Sequence, residues 1–146
     1  MTKVLRLKDK QASQGAQSGV QPLFKARAIF NFGVDGGAIA TIVPKETATL
    51  PKGAVIVAGT VNSTTAVLSA GSATVSIGTS AGSSATSILG ATAKATLSAN
   101  ALINAVSTFA APVKLTAQGD ITFTVGTAVL TAGVIEVTLF YFVAAA

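Results

Sequence analysis

Asp120-Ile-Thr-Phe-Thr-Val125, Gly126-Thr-Ala-Val-Leu-Thr-Ala-Gly133 and Val134-Ile-Glu-Val-Thr-Leu-Phe-Tyr-Phe-Val143 read as a strand, a turn and a strand. Ile121, Phe123 and Val125 fall on one face of the first strand and Thr122 and Thr124 on the other, the period of two that marks a half-buried strand. In the second, Ile135, Val137, Leu139, Tyr141 and Val143 make one face, and the opposite face carries Glu136, Thr138, Phe140 and Phe142. The far end of this strand is therefore apolar on both sides, as expected of a strand covered once by its own core and once by something else. The two strands are expected to be neighbours.

Working outward, the chain is a succession of short, turn-punctuated strands. Phe24 to Phe32 alternates, with Phe24, Ala26, Ala28, Phe30 and Phe32 on one face. Gly33 to Gly37 is a turn cluster, Ala38 to Val43 a second strand stopped by Pro44, and Pro44 to Gly53 a loop. Ala54 to Val61, continuous in Val, Ile and Ala, predicts a buried central strand, and Thr64 to Ser69 and Ala73 to Gly78 two more. From Thr79 to Ala111 the pattern fades into Ala, Ser, Thr and Gly. A short helix near Ala99 to Ser107 is expected from Leu102, Ile103, Val106 and Phe109. Pro112 to Ala117 opens the last group. About eight strands in one all-β, antiparallel sandwich or barrel over residues 24–146 is the predicted architecture.

Before this body lies an arm. Residues 1–10 contain Lys3, Val4, Leu5, Arg6, Leu7, Lys8 and Lys10, too little apolar surface for a core, and residues 11–23 are a Gln, Ser and Gly tract that reads as a flexible tether. The net charge of +5 lies entirely within residues 1–27, because from residue 28 onward four lysines cancel four acids.

Composition narrows the chemistry. With 146 residues the chain fits one domain. Its 10% charged residues lie well below the usual ~25%, so a lone copy is poorly protected against association and an oligomer is expected. There is no Cys and no His, and the five acids, Asp9, Asp35, Glu46, Asp120 and Glu136, are scattered, so neither metal nor cofactor is expected. A chelator should leave the protein untouched. The apolar run at 128–146 approaches the ~20 residues of a membrane span, but β-branched residues, bracketing glycines and Glu136 argue for strand instead. No secretion signal is visible in residues 1–10, so synthesis in a cytoplasm is expected.

No catalytic motif stands out. The glycines at 33, 36 and 37 and the segment Pro51-Lys-Gly53 precede strands, where a phosphate loop needs a helix N-terminus. The abundant Ser and Thr lack a His base, and Asp120 with Glu136 reads as a turn residue and an outward strand residue before it reads as a hydrolytic pair. Asn62-Ser-Thr64 has the form of a glycosylation site but reads as a turn. The basic arm lacks the aromatics that stack on bases, so nucleic acid is not expected as a partner, nor is a membrane.

Four segments, Leu50-Pro-Lys-Gly-Ala-Val-Ile-Val57, Ser72-Ala-Thr-Val-Ser-Ile-Gly-Thr79, Ile88-Leu-Gly-Ala-Thr-Ala93 and Leu130-Thr-Ala-Gly-Val-Ile-Glu-Val-Thr-Leu-Phe-Tyr141, come in an order that resembles the head decoration, or cement, proteins of tailed bacteriophages. The resemblance implies a jelly-roll-like body that forms homotrimers on the outer surface of the virion head and ties major capsid proteins together. It brings no catalytic residue. On this reading Lys3, Val4, Leu5, Arg6, Leu7, Lys8 and Lys10 form a capsid-docking arm, and Phe140 and Phe142 belong to a subunit interface. The rival reading is a carbohydrate- or receptor-binding module of a phage fibre or tail, against which stand the absence of Trp and the single Tyr.

Overall fold

The computed structural model describes residues 22–105 and 110–144. The arm residues Lys3, Val4, Leu5, Arg6, Leu7, Lys8 and Lys10, and the tether up to residue 21, lie outside them.

β1 (Phe24–Asn31) follows its alternation, with Ala26, Ala28 and Phe30 buried and Lys25 and Arg27 exposed. Phe32 leaves the strand. It opens a single helical turn, α1 (Phe32–Asp35), capped by the Asn31 side chain, which accepts from the Gly33 N–H at 2.9 Å. The turn ends at Gly36 with φ of 83°, a conformation open to glycine. After it come β2 (Thr41–Ile42), β3 (Glu46–Thr47) and β4 (Thr49–Leu50), so the expected strand at 38–43 shrinks to two residues and the expected loop at 44–53 holds two short pairings.

β5 (Ala54–Leu68) is one strand of 15 residues where the sequence predicts two. Asn62-Ser63 looks like a break because it is polar. Ser63 is instead fully buried, its hydroxyl donating to the carbonyls of Thr65 and Leu97 at 3.1 Å each. Asn62 thus sits mid-strand, opposite Glu136, and not in a turn. Then follow β6 (Thr74–Thr79), β7 (Ser84–Ala93), β8 (Ala101–Asn104), β9 (Val113–Lys114), β10 (Gly119–Gly126) and β11 (Ala132–Val143). β7 arises where the pattern fades. The helix expected at 99–107 is absent over its described part, since 101–104 pair with β5 as β8; residues 106–109 lie outside the described ones.

The strands form two antiparallel sheets, ordered β3-β1-β11-β5-β8 with β9 also on β5, and β2-β10-β6-β7 with β4 also on β10. β1 pairs with β11 and β5 with β8 in the first sheet, β2 with β10 and β6 with β7 in the second, and the two sheets form an all-β sandwich. This order corrects the expectation that β10 and β11 are neighbours. Residues 127–131 carry the chain from one sheet to the other, so the two strands face each other across the core. Alternation along each strand is the same in either arrangement, which is why the sequence leaves it open.

The core lies between the sheets. Ile135, Val137 and Leu139 of β11 face Ile121, Phe123 and Val125 of β10, all at most 1% exposed. Phe30 and Phe123 bridge the sheets with ring centroids 5.5 Å apart.

Candidate assembly surface

The outward residues of the β1 sheet include Phe140 and Phe142. Reading across the ladders, Ile29, Glu136, Asn62 and Leu102 make one row, Arg27, Thr138, Thr60 and Asn104 the next, and Lys25, Phe140 and Ala58 the third. A bulge then intervenes between Phe140 and Tyr141, after which Phe142 lies opposite Val55 and Val55 opposite Lys114.

The two halves of this face differ. The first is polar at its centre, with Ile29 and the exposed Leu102 at its edges, and Arg27 donates to the Glu136 carboxylate in a diagonal cross-strand ion pair. With side chains 53% and 27% exposed, the pair contributes little stability and chiefly fixes the polar half in place. The second half is apolar. Phe140 and Phe142 are half-buried, Val55 beside Phe142 is buried, and Lys25 and Lys114 flank them in the open. The two phenylalanines singled out in the sequence are thus brought together on one outer face. At the same strand end Tyr141, which packs against the core, meets the exposed Phe24 with tilted rings and centroids 5.5 Å apart.

Two further acids hold the backbone and a loop in place. Asp35 accepts from the backbone N–H groups of Asn31 and Lys45, both at 2.9 Å, and Asp120 accepts from the Thr49 hydroxyl at 2.6 Å. Asp120 and Glu136 belong to different sheets and point away from each other, so they make no hydrolytic pair. Among the described residues no three His, Cys, Asp or Glu cluster as metal ligands, and no helix is long and apolar enough to cross a membrane.

A cleft of about 310 Å³ on the β10 sheet is lined by Thr41, Val43, Thr79, Ser80, Ala85 and Thr122. The Thr122 hydroxyl is buried there without a protein partner, a position suited to a water molecule. No charged group or aromatic ring lines it. Neither nucleophilic catalysis nor sugar stacking has its parts at this place.

No family model matches the sequence, and no curated protein matches it. Solved structures do. The fold is shared with chains from three phage capsids. One belongs to the acidic stable capsid structure of Helicobacter pylori bacteriophage KHP30, with a TM-score of 0.60 at 15% identity over 85% of this chain and 90% of that one. Another belongs to the capsid asymmetric unit of cyanophage Pam1, with a TM-score of 0.62 at 17% identity over 85% and 86%. The third is from the capsid of Ralstonia phage GP4, with a TM-score of 0.58 at 15% identity over 88% and 89%. At such identities the likeness is one of fold, and it runs nearly end to end in each case.

Proposed function

We propose that this chain is a structural protein of a phage virion, a decoration or cement protein that binds the outer surface of the head as a homotrimer and ties neighbouring major capsid proteins together. The observation that carries the virion role is the nearly complete overlap, in both directions, with chains from three phage capsids. The finer role is supported by the resemblance of the four sequence segments to decoration proteins, and by an apolar outer face on a body with few charges. No enzymatic step enters this reading.

The test is to image heads produced with and without the protein. Density on the outer surface of closed heads, lost when the protein is left out, is the expected result. If shells fail to close without it, the chain builds the shell itself and the decoration reading falls. Light scattering of the free protein checks the oligomer separately: a trimer mass is expected at micromolar concentration, and a monomer mass would contradict it.

A further inference from the structure

The apolar half of the outer face has a rim of one sign. Lys25 lies directly across from Phe140, and Lys114 lies one strand beyond Phe142, with Val55 between. Lys52 is exposed in the turn between Pro51 and Gly53, and that turn is bound to the same end of the sheet. The Gly53 N–H donates to the Leu115 carbonyl and the Ala144 N–H to the Gly53 carbonyl, both at 2.9 Å. No acidic residue occupies a register position beside Lys25 or Lys114, and among the described residues the ion pair on this face is the one between Arg27 and Glu136. The centre of the patch is therefore aromatic and aliphatic, and its border carries three positive charges.

The chain outside the described residues joins at this end as well. Pro22 and Leu23, the latter 54% exposed, run into β1 just ahead of Phe24 and Lys25. Residues 1–21, which precede Pro22 in the chain, carry Lys3, Arg6, Lys8 and Lys10 against Asp9, a further net +3.

This arrangement selects its occupant. A second copy seated face to face, as in a two-fold contact, would set three lysines against three lysines around a desolvated centre, and like charges so placed oppose association. A trimer contact would pair this face with a different surface, which the oligomer mass below decides. An acidic surface would gain at every one of those positions, and its approach would be steered by the same field. We propose that the apolar, lysine-rimmed end of the β1 sheet docks on an acidic protein surface of the capsid shell, with Phe140 and Phe142 as the anchors and Lys25, Lys52 and Lys114 as the charged rim. This assignment rests on the capsid reading above and gives the phenylalanine face to the shell, leaving subunit contacts to other surfaces.

The experiment measures binding of full-length protein to heads assembled without it, at low and high salt. It compares the native protein, the triple reversal K25E/K52E/K114E, the truncation F140A/F142A and the single reversal K45E. Lys45 is exposed beside Asp35, at the other end of β1, and serves as the control for bulk charge. The triple reversal is expected to weaken binding by roughly a hundredfold and to flatten its salt dependence. K45E should bind as the native protein does. F140A/F142A should lose binding while light scattering returns an unchanged oligomer mass, with thermal melts confirming that each variant is folded. Native-like binding by the triple reversal overturns the proposal, and so does an equal loss with K45E. Dissociation of the oligomer by F140A/F142A also overturns it, because the face then joins copies of this chain. If the native protein itself does not bind heads, the capsid reading fails first and the docking face falls with it.

Discussion

Phe30 and Phe123 are fully buried and touch ring to ring, one from each sheet, so they hold the sandwich closed at its centre. Phe123→Ala is expected to cost about 3–5 kcal/mol, read from the midpoint of urea denaturation, because neither sheet can move in to fill the void. Two glycines give opposite expectations at the same scale. A Cβ on Gly78 would lie 1.8 Å from the Ser84 carbonyl oxygen, a backbone atom that cannot swing away, whereas a Cβ on Gly90 meets nothing within 4 Å. Gly78→Ala should therefore unfold or severely destabilise the protein. Gly90→Ala should be neutral, or stabilise by up to about 1 kcal/mol through the unfolded chain. Equal melting temperatures for the two variants would contradict the close approach of the Ser84 backbone to Gly78 at the irregular end of the β6–β7 pairing.

At the scale of elements, α1 and the loop behind it depend on one carboxylate. Asp35 accepts from the N–H of Asn31 at the end of β1 and from that of Lys45 just before β3, so it pins the loop carrying β2 against the strand. Asp35→Ala is expected to cost about 2 kcal/mol, with Asp35→Asn losing less because one acceptor oxygen remains. Denaturant melts of the two variants give the comparison. β5 shows how an element hides from its own sequence: a polar pair in an apolar run has the look of a turn until a partner across the fold, here the Leu97 carbonyl, takes the buried hydroxyl. β8 shows the converse. Its Leu102 and Ile103 resemble a helical face by spacing, yet pairing with Asn62 and Val61 of β5 makes the segment a strand with Leu102 exposed.

For the molecule as a whole, the arm and the body are separable in the proposed assembly. The core of the described residues runs from Ala26 to Leu139, so deleting residues 1–23 is expected to leave it in place. The deletion should shift the melting temperature by less than about 3 °C, the equivalent of 1 kcal/mol for a domain of this size. Binding to heads should weaken and become less sensitive to salt, since a net +3 is lost and a tether of about 20 Å no longer lets the arm reach a neighbour. Equal affinity and equal salt dependence would refute a docking role for the arm, and loss of the oligomer would place the arm between subunits. A chelator should leave the melting temperature unchanged, and a fall of several degrees would reveal a structural cation held by carboxylates and turn carbonyls.

The sequence by itself determined the class of this protein. Strict alternation in β1, β10 and β11 requires two-sided strands, and those strands bury the residues that alternation assigns inward, from Ala26 through Phe30 and from Ile121 through Leu139. It also placed Phe140 and Phe142 on an outward face, because a period of two leaves no other choice. What it left open is which strands meet. The register of β11 between β1 and β5, the separation of β10 into the other sheet and the gathering of Lys25, Lys52 and Lys114 around the two phenylalanines all join residues far apart in the chain. Local periodicity fixes which way a side chain points relative to its own strand. The tertiary structure alone decides what lies beside it, since that follows from pairing and packing between distant segments.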